Sequence, residues 1–344
     1  MNAPDGEPAG SASASEDEVL AGLAGLGLLQ PGERPALQPL GGGVSSEIWK
    51  VDTAGGALCV KRALARLKVA AVWEAPLERS HFEAEWMRVA GAIRPANVPE
   101  LIAEDVGRHL VVMRFLPPET YRLWKTMLRD GHADPAFAAE VGRVLAAIHA
   151  ATADDPAIAA RFATDAAFHA IRLEPYLEAT ARKHGEVADR LFDLSATTAA
   201  TRRCLVHGDV SPKNMLVGPD GPVILDAECA WFGDPAFDLG FVLNHLLLKC
   251  LWTPSAGAGF LDCFANLSEA YAAGVTWEPA SAVEARVAAL LPGLMLARID
   301  GKSPVEYITA EADRNKVRGF AIPLLKQPVA RPADIAARWR EEIL

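Results

Sequence analysis

The chain has 344 residues, of which 51% are hydrophobic and 23% charged, and its formal net charge is −10. This length is sufficient for two domains, or for one domain with two lobes, and for a large buried core. The acidic balance argues against a protein that binds nucleic acid by neutralising its phosphates, so no nucleic-acid partner is expected. The cysteines lack a Cys-x-x-Cys spacing, which predicts no zinc site or disulfide framework but reduced, mostly buried thiols at Cys59, Cys204, Cys229, Cys250 and Cys263.

Residues 1–16 are rich in Ala, Ser, Gly and acidic side chains, and this composition predicts a disordered N-terminal tail. The tail carries Asp5 and Glu7 and has no apolar centre, so it does not resemble a secretory signal. The longest apolar stretches, 239–248 and 287–297, are shorter than the roughly 20 residues that span a bilayer. We therefore expect a cytoplasmic protein without a membrane partner.

Residues 17–116 have the pattern of a small, strand-rich lobe. Alternating or apolar runs predict strands at 48–51, 57–61 and 110–113. The first two runs flank the Gly55-Gly56 turn, which predicts a hairpin. Ser80, followed three residues later by Glu83, has the pattern of a capping box and predicts the start of an amphipathic helix.

Residues 117–344 are predicted to form a larger helical lobe, and the prolines at 117 and 118 mark the boundary because they disfavour both helix and strand. One helix face is predicted from the period of 3.6 that relates Phe137, Val141, Val144, Leu145 and Ile148. Further helices are expected at 157–184, 238–252, 261–273, 280–291 and 333–343. The predicted fold class is therefore α+β, with two lobes.

One stretch of the helical lobe has a strand-like pattern instead. Short apolar runs flank a Gly-Pro-Asp-Gly turn, at 215–217 and 223–225. A hairpin centred on Asp220 would place Asn214 and Asp226 opposite each other at its open end, with Asp209 one short loop earlier. An amide oxygen beside a carboxylate, with a second carboxylate nearby, suits a hard cation such as Mg²⁺ that also carries substrate phosphates.

The order of these residues resembles a kinase catalytic loop. His-Gly-Asp at 207–209 is followed by Asn214, by Asp-x-Glu at 226–228, and by Gly-Asp-Pro-Ala-Phe-Asp-Leu at 233–239. This series resembles the aminoglycoside phosphotransferase and choline kinase family of small-molecule kinases, and the similarity extends over about 40–248. The resemblance implies a two-lobed, protein-kinase-like fold and an ATP-dependent enzyme that phosphorylates a hydroxyl group of a small polar molecule.

The resemblance also implies the roles of the catalytic and metal-binding residues. Asp209 would accept or orient the proton of the substrate hydroxyl. Asn214 and Asp226 would hold Mg²⁺ across the nucleotide phosphates, and Glu228 could reach the same metal. His207 is interpreted as a structural histidine bonded to backbone, and Asp238 as a residue that caps its helix or braces the loop.

For the nucleotide, the resemblance implies that Lys61 contacts the α- and β-phosphates of ATP, with GTP as an alternative. Its helix partner would be Glu83, with Glu85 as the alternative because Glu83 could instead complete the capping box of Ser80. The loop over the phosphates would contain Gly41, Gly42, Gly43, Ser45 and Ser46. The adenine would meet the backbone of Met113, Arg114, Phe115 and Leu116.

The acceptor is left open between classes of small molecule. The stretches 61–64 and 79–85, and Trp-Phe-Gly at 231–233, resemble methylthioribose kinases, whereas the general form of the His-Gly-Asp loop is shared with kinases of aminoglycosides and amino alcohols. Asp234, Arg298 and Lys302 are the candidate acceptor residues, and the two basic ones suit an anionic or sugar-like substrate or form a surface turn.

Two further alternatives follow from the sequence. One is a protein-serine kinase, which the missing Asp-Phe-Gly and Ala-Pro-Glu segments disfavour. A non-catalytic nucleotide-binding protein could keep a kinase fold, because a fold alone does not determine a function. The complete set of Lys61, Asp209, Asn214 and Asp226 argues against that class. The oligomeric state is left open, with a homodimer as one option.

Overall fold

The computed structural model describes residues 9–41, 46–64 and 76–344, with only the backbone described for 9–14. The chain divides into two compact units. The first contains its described residues up to Arg88 together with Pro99–Leu116, and the second contains Val89–Val98 and Pro117–Leu344. The segment Val89–Val98 was predicted to belong to the first lobe but groups with the second unit. One contact that ties it there is the hydrogen bond from Nδ2 of Asn97 to the carbonyl of Pro222 (2.8 Å).

The first unit contains a five-stranded antiparallel sheet in the order β1-β2-β3-β5-β4. Its strands are β1 (Leu37–Pro39), β2 (Ser46–Thr53), β3 (Gly56–Ala63), β4 (Leu101–Asp105) and β5 (Leu110–Arg114). The predicted β2–β3 hairpin is confirmed, with Thr53 paired to Gly56 at the turn. Gly56 has a φ of +116°, a conformation open to glycine but not to most residues.

Two helices belong wholly or mostly to the first unit, α1 (Ala9–Gly25) and α2 (Arg79–Ile93). Val19 and Leu23 of α1 are one helical turn apart and pack with Trp49, Val51 and other buried residues of the sheet. Residues 9–16, for which the sequence predicted disorder, lie in this helix, and the hydroxyl of Ser15 donates to Oε2 of Glu47 (2.7 Å). Residues 1–8 lie outside the described part of the chain.

The second unit is mostly helical. Its helices are α3 (Trp124–Arg129), α4 (Pro135–Thr152), α5 (Pro156–Arg161), α6 (Asp165–Phe168), a π-helical stretch (His169–Glu178), α7 (Ala179–Ala181), α8 (Ala188–Ala200), α9 (Pro235–Trp252), α10 (Gly257–Ala273), α11 (Ala280–Asp300), α12 (Glu311–Lys326) and α13 (Pro332–Glu342). Two small sheets carry the predicted site. They are formed by β6 (Arg122–Leu123), β8 (Met215–Gly218) and β9 (Gly221–Ile224), and by β7 (Cys204–Val206) and β10 (Trp231–Gly233).

Helix α4 matches its predicted apolar face, whose five residues are all buried. The helix begins where Asp134 accepts a hydrogen bond from the backbone N–H of Phe137 (3.0 Å). A Cβ on Gly142 would lie 2.3 Å from the carbonyl oxygen of Leu267. The glycine therefore allows α4 and α10 to pack with their backbones in close approach.

Two predicted helices differ from the structure. The region 157–184 is interrupted at Thr164, whose hydroxyl donates to the carbonyl of Ala230 (2.6 Å). The helix predicted at 280–291 continues through Pro292 to Asp300 as α11, because burial of this region outweighs the local preference of proline. Within the described residues, α11 has the length and composition of a membrane span, but 61% of its most apolar window is buried in the protein.

Candidate active site

The β8–β9 hairpin carries the predicted metal ligands, but with a different register from the predicted one. Gly218 pairs with Gly221, so the turn has two residues and its centre lies half a residue before Asp220. Asn214 consequently lies opposite Leu225, whose N–H donates to the Asn214 carbonyl (2.9 Å). The predicted pairing of Asn214 with Asp226 is wrong by one residue. Asp226 adopts a left-handed φ of +68°, which turns the chain out of the strand at that point.

Asp209 is at the centre of the site in the second unit and is 3% exposed. Its Oδ2 accepts a hydrogen bond from Nδ2 of Asn214 (2.9 Å). The same oxygen lies 3.1 Å from Nη2 of Arg172 and 3.1 Å from Nζ of Lys213. One carboxylate oxygen therefore meets two cations and an amide, an arrangement that holds the side chain in one orientation.

These charges decide the protonation state of Asp209. Burial by itself raises the pKa of the carboxyl group, and Asp226 acts in the same direction. The cations of Lys213 and Arg172 outweigh both effects, so the pKa of Asp209 lies below the ordinary aspartate value. Asp209 is therefore an ionised acceptor of hydrogen bonds over the whole neutral range.

Asp238 of α9 braces the loop that carries Asp209 by accepting hydrogen bonds from its backbone. The two carboxylate oxygens of Asp238 accept hydrogen bonds from the N–H groups of His207 (2.7 Å) and Gly208 (2.8 Å). Gly208 has a φ of +80°, and a Cβ there would lie 2.6 Å from the carbonyl oxygen of Cys229. Of the two roles that the sequence allowed for Asp238, bracing the loop is the observed one, since Asp234 caps α9.

His207 fixes the same loop through its imidazole ring. Its Nε2 lies 3.0 Å from the carbonyl of Leu225, and its Nδ1 accepts the N–H of Asp209 (3.1 Å). These contacts require the hydrogen on Nε2 and a neutral ring. Burial lowers the pKa of His207, which favours that neutral form. The histidine is thus a structural link between the loop and the end of β9.

The carboxylates of Asp226 and Glu228 are partly buried and follow β9 directly. Asp226 is close enough to Asp209 to raise its pKa. The Nδ2 of Asn214 donates to both the carbonyl (3.0 Å) and Oδ2 of Asp209, so the amide oxygen faces the other way. Two carboxylates and an amide oxygen form a donor set that fits Mg²⁺.

In the first unit, Lys61 of β3 and Glu83 of α2 form a buried ion pair. Nζ of Lys61 lies 2.9 Å from Oε1 and 2.8 Å from Oε2 of Glu83. The capping-box interpretation is wrong, because the hydroxyl of Ser80 donates to the carbonyl of Leu77. The alternative partner, Glu85, pairs with Arg88. The two buried charges are therefore matched to each other.

The remaining residues predicted for the nucleotide have varied positions. Ser46 is buried in β2 opposite Ala63, so it belongs to a strand and not to a loop. Gly41 lies in an exposed turn, and Gly42, Gly43 and Ser45 lie outside the described residues. At the end of β5, the N–H groups of Arg114 and Phe115 donate to the carbonyls of Glu100 (2.9 Å) and Ala57 (3.2 Å). Met113 lies within β5, where it pairs with Cys59 of β3. Leu116 lies two residues after the end of β5.

The three predicted acceptor residues separate in the structure. Asp234 accepts the N–H of Ala236 as the cap of α9 and pairs with Arg286 (3.0 Å). Lys302 is half-exposed and pairs with Glu174 (2.7 Å). Only Arg298 among them lines a cavity next to the catalytic loop.

Comparison with known proteins identifies the family of the chain. Residues 36–287 match the phosphotransferase enzyme family. The chain belongs to this family. Methylthioribose kinase 2 of Oryza sativa subsp. japonica is 23% identical over 240 residues, which cover 62% of this chain and 56% of the relative. The chain therefore aligns with only about half the length of this relative.

Solved structures share the fold of this chain. A choline/ethanolamine kinase family protein from Mesorhizobium loti has a TM-score of 0.54 at 17% identity, covering 94% of this chain and 98% of that one. Amicoumacin kinase hAmiN, solved with AMP-PNP, Ca²⁺ and Ami, has a TM-score of 0.53 at 15% identity and covers 96% and 100%. The predicted α+β, protein-kinase-like fold class is confirmed.

Sequence reasoning missed two cations of this candidate site. Lys213 lies within the predicted catalytic loop, four residues after Asp209, and its charge was the available signal. Arg172 lies in the π-helical stretch, where a continuous α-helix was predicted. Its Nε donates to the carbonyl of Gly208 (2.5 Å). These residues are far apart in the sequence, so no local pattern predicts the contact.

Proposed function

We propose that this phosphotransferase-family protein is a kinase that transfers the γ-phosphoryl group of ATP, in the presence of Mg²⁺, to a hydroxyl group of a small polar molecule. The observation that carries the proposal is the buried Asp209, held by Asn214, Lys213 and Arg172 on a braced loop. A carboxylate kept ionised and oriented in this way suits the positioning of a hydroxyl nucleophile.

In the proposed reaction, the substrate hydroxyl donates a hydrogen bond to Asp209 and its oxygen forms the new bond to phosphorus. The bond between the γ-phosphorus and the bridging oxygen breaks, and ADP leaves. The lowered pKa makes Asp209 a weak base, so its main contribution is orientation. The hydroxyl proton passes through this carboxylate to solvent late in the transfer, once the oxygen is bonded to phosphorus.

Asn214, Asp226 and Glu228 are the residues proposed to hold Mg²⁺. The metal supplies positive charge that neutralises the phosphate oxygens of the nucleotide. Lys61, positioned by Glu83, is proposed to contact the α- and β-phosphates, and the residues after β5 to meet adenine. The pairing of Lys61 with a buried carboxylate fixes the direction of its side chain before the nucleotide binds.

The relatives supply candidates for the acceptor. Several are named methylthioribose kinase, at 22% to 27% identity, which makes a methylthioribose-like sugar one candidate. Amino alcohols are a second candidate, since the Mesorhizobium loti structure is named a choline/ethanolamine kinase family protein. Aminoglycosides are a third, from the form of the His-Gly-Asp loop. A cytoplasmic location agrees with such metabolites as substrates.

A screen for ADP release tests the proposal. The purified full-length protein is incubated with ATP and Mg²⁺ and with sugars, hydroxy acids, amino alcohols and aminoglycosides in turn. We expect release of ADP that depends on both the metal and one class of acceptor. A protein that ATP stabilises against heat but that releases no ADP with any acceptor would instead be a nucleotide-binding protein without catalysis.

A further inference from the structure

A small cavity in the second unit lies beside the catalytic loop. Its volume is about 20 Å³, space for a small group rather than for a whole metabolite. The lining residues are Lys125, Pro212, Lys213, His245, Lys249, Arg298, Glu306 and Tyr307. Because Lys213 also lies 3.1 Å from Asp209, one side chain connects the cavity with the carboxylate proposed to receive the hydroxyl.

Lys249 is the most unusual of the lining residues. It is 1% exposed, and its Nζ has no hydrogen-bond partner within the described part of the chain. The ammonium group lies 4.3 Å and 4.4 Å from the ring centroids of Trp252 and Tyr307. These rings compensate for part of the lost hydration, but an unpaired buried ammonium group remains costly.

Two other groups of the cavity also have unsatisfied nitrogen atoms. Nε of Arg298 and Nε2 of His245 are buried without a hydrogen-bond partner among the described residues. Arg298 is held in place by Nη1, which donates to the hydroxyl groups of Tyr176 (3.1 Å) and Ser303 (3.0 Å). Buried polar groups are normally bonded, so three unsatisfied nitrogens around one cavity require an explanation.

The charges around the cavity do not balance. Glu306 pairs with Lys125, and Asp209 with Lys213. For Lys249 and Arg298, the described residues provide no carboxylate partner. The lining thus contains four basic side chains, Lys125, Lys213, Lys249 and Arg298, and one acid, Glu306. A buried charge is stable only with a counter-charge or after loss of its proton.

We propose that this cavity binds the anionic group of the acceptor, so that the substrate of the proposed kinase is a small hydroxylated acid. The inference rests on the proposed function, because it places the hydroxyl of the same molecule at Asp209. A carboxylate or a phosphate would complete the contacts of Lys249, Arg298 and His245. A cationic amino alcohol or aminoglycoside would add to the excess positive charge, and a neutral sugar would leave it uncompensated.

Matched acceptors that differ in charge test the inference. Calorimetric binding and ADP release are measured for glycerate against glycerol, and for ribose 5-phosphate against ribose, with the full-length protein. We expect the charged member of one pair to bind about tenfold or more tightly than its neutral partner, the effect of one charged hydrogen bond. The preferred pair distinguishes a carboxylate from a phosphate.

Variants of Lys249 test whether the cavity causes the preference for a charged acceptor. Lys249→Met should abolish this preference, and Lys249→Arg, which keeps the charge, should retain it. Lys316→Met is the matched control, because Lys316 is an exposed lysine paired with Asp313 on α12. Equal binding of charged and neutral members, no binding of either, or a preference that persists in Lys249→Met would each overturn the anion site.

The outcome for the proposed function is separate. Mg²⁺-dependent phosphorylation of a neutral sugar, unaffected by Lys249→Met, would overturn the anion site and support the kinase. Binding of an acid that depends on Lys249, without phosphoryl transfer to any acceptor, would support the anion site and contradict the kinase.

Discussion

Replacement of Lys249 by methionine should stabilise the protein at neutral pH. The pKa of Lys249 is lowered from 10.5 to about 7, mainly by burial and also by the charges of Lys125 and Arg298, while Glu306 acts in the opposite direction. The unfolded chain therefore binds the lysine proton more tightly than the folded chain between these two values. At about 1.4 kcal/mol per pH unit, the charge reduces the free energy of unfolding by about 5 kcal/mol below pH 7.

This cost has a characteristic pH dependence. It is fully present below the folded pKa, decreases as pH rises from about 7, and disappears near 10.5, where the lysine is neutral in both states. Methionine fills a similar volume without a charge, so Lys249→Met removes the cost and loses only the contacts of the ammonium group with the aromatic rings.

Urea unfolding followed by circular dichroism measures the difference. The variant should exceed the wild type in free energy of unfolding at about pH 7, and the excess should shrink by about 2 kcal/mol at about pH 9. A variant that is less stable than the wild type, or whose difference from it is constant with pH, would refute the view that Lys249 is an uncompensated buried cation.

Three further substitutions have defined outcomes. Lys61→Met should raise the KM for ATP about tenfold or more with a smaller change in kcat, measured by ADP release, and an unchanged KM would contradict the phosphate contact. Asp238→Asn should remove one acceptor from the loop and lower the free energy of unfolding by about 1 to 3 kcal/mol, together with kcat; equal stability would show that the brace is dispensable. Gly208→Ala should lower the free energy of unfolding by about 1 to 3 kcal/mol and also lower kcat, because φ is positive at this position and a Cβ would collide with the carbonyl of Cys229. A melting temperature equal to that of the wild type would contradict this.

The parts of the fold that local patterns determine could be predicted from the sequence. The β2–β3 hairpin follows from alternating residues around a glycine turn, and the buried face of α4 follows from its helical period. The α11 helix was predicted to be shorter because proline is unfavourable inside an isolated helix. Burial of the residues around Pro292 reverses that preference, and burial is a property of the whole unit.

For the candidate site, too, local sequence patterns predicted the residues but not their long-range contacts. The motif spacing located Asp209, Asn214 and Asp226, but a half-residue shift of the turn centre moved Asn214 opposite Leu225. The contact of Arg172 with Asp209 joins residues 37 positions apart and arises from the packing of a π-helical stretch. Long-range contacts of this kind leave no periodic signal in the sequence.

The excess charge around Lys249 was likewise invisible in the sequence. The residue lies in an apolar run of α9 that predicts a buried helix, and its charge alone would suggest a solvent-exposed position. Only the packed structure shows that the lysine is buried with an arginine and a histidine around one cavity.

The measurement that tests the central claim most directly is phosphoryl transfer by wild type and Asp209→Asn with an acceptor identified by the screen. Asparagine has the same shape and lacks the negative charge, so the variant should fold and bind ATP while its kcat falls by about 10²- to 10⁴-fold. Thermal stabilisation by ATP and Mg²⁺ serves as the control for binding. A variant with the kcat of the wild type would contradict the assignment of Asp209 and, with it, the proposed active site.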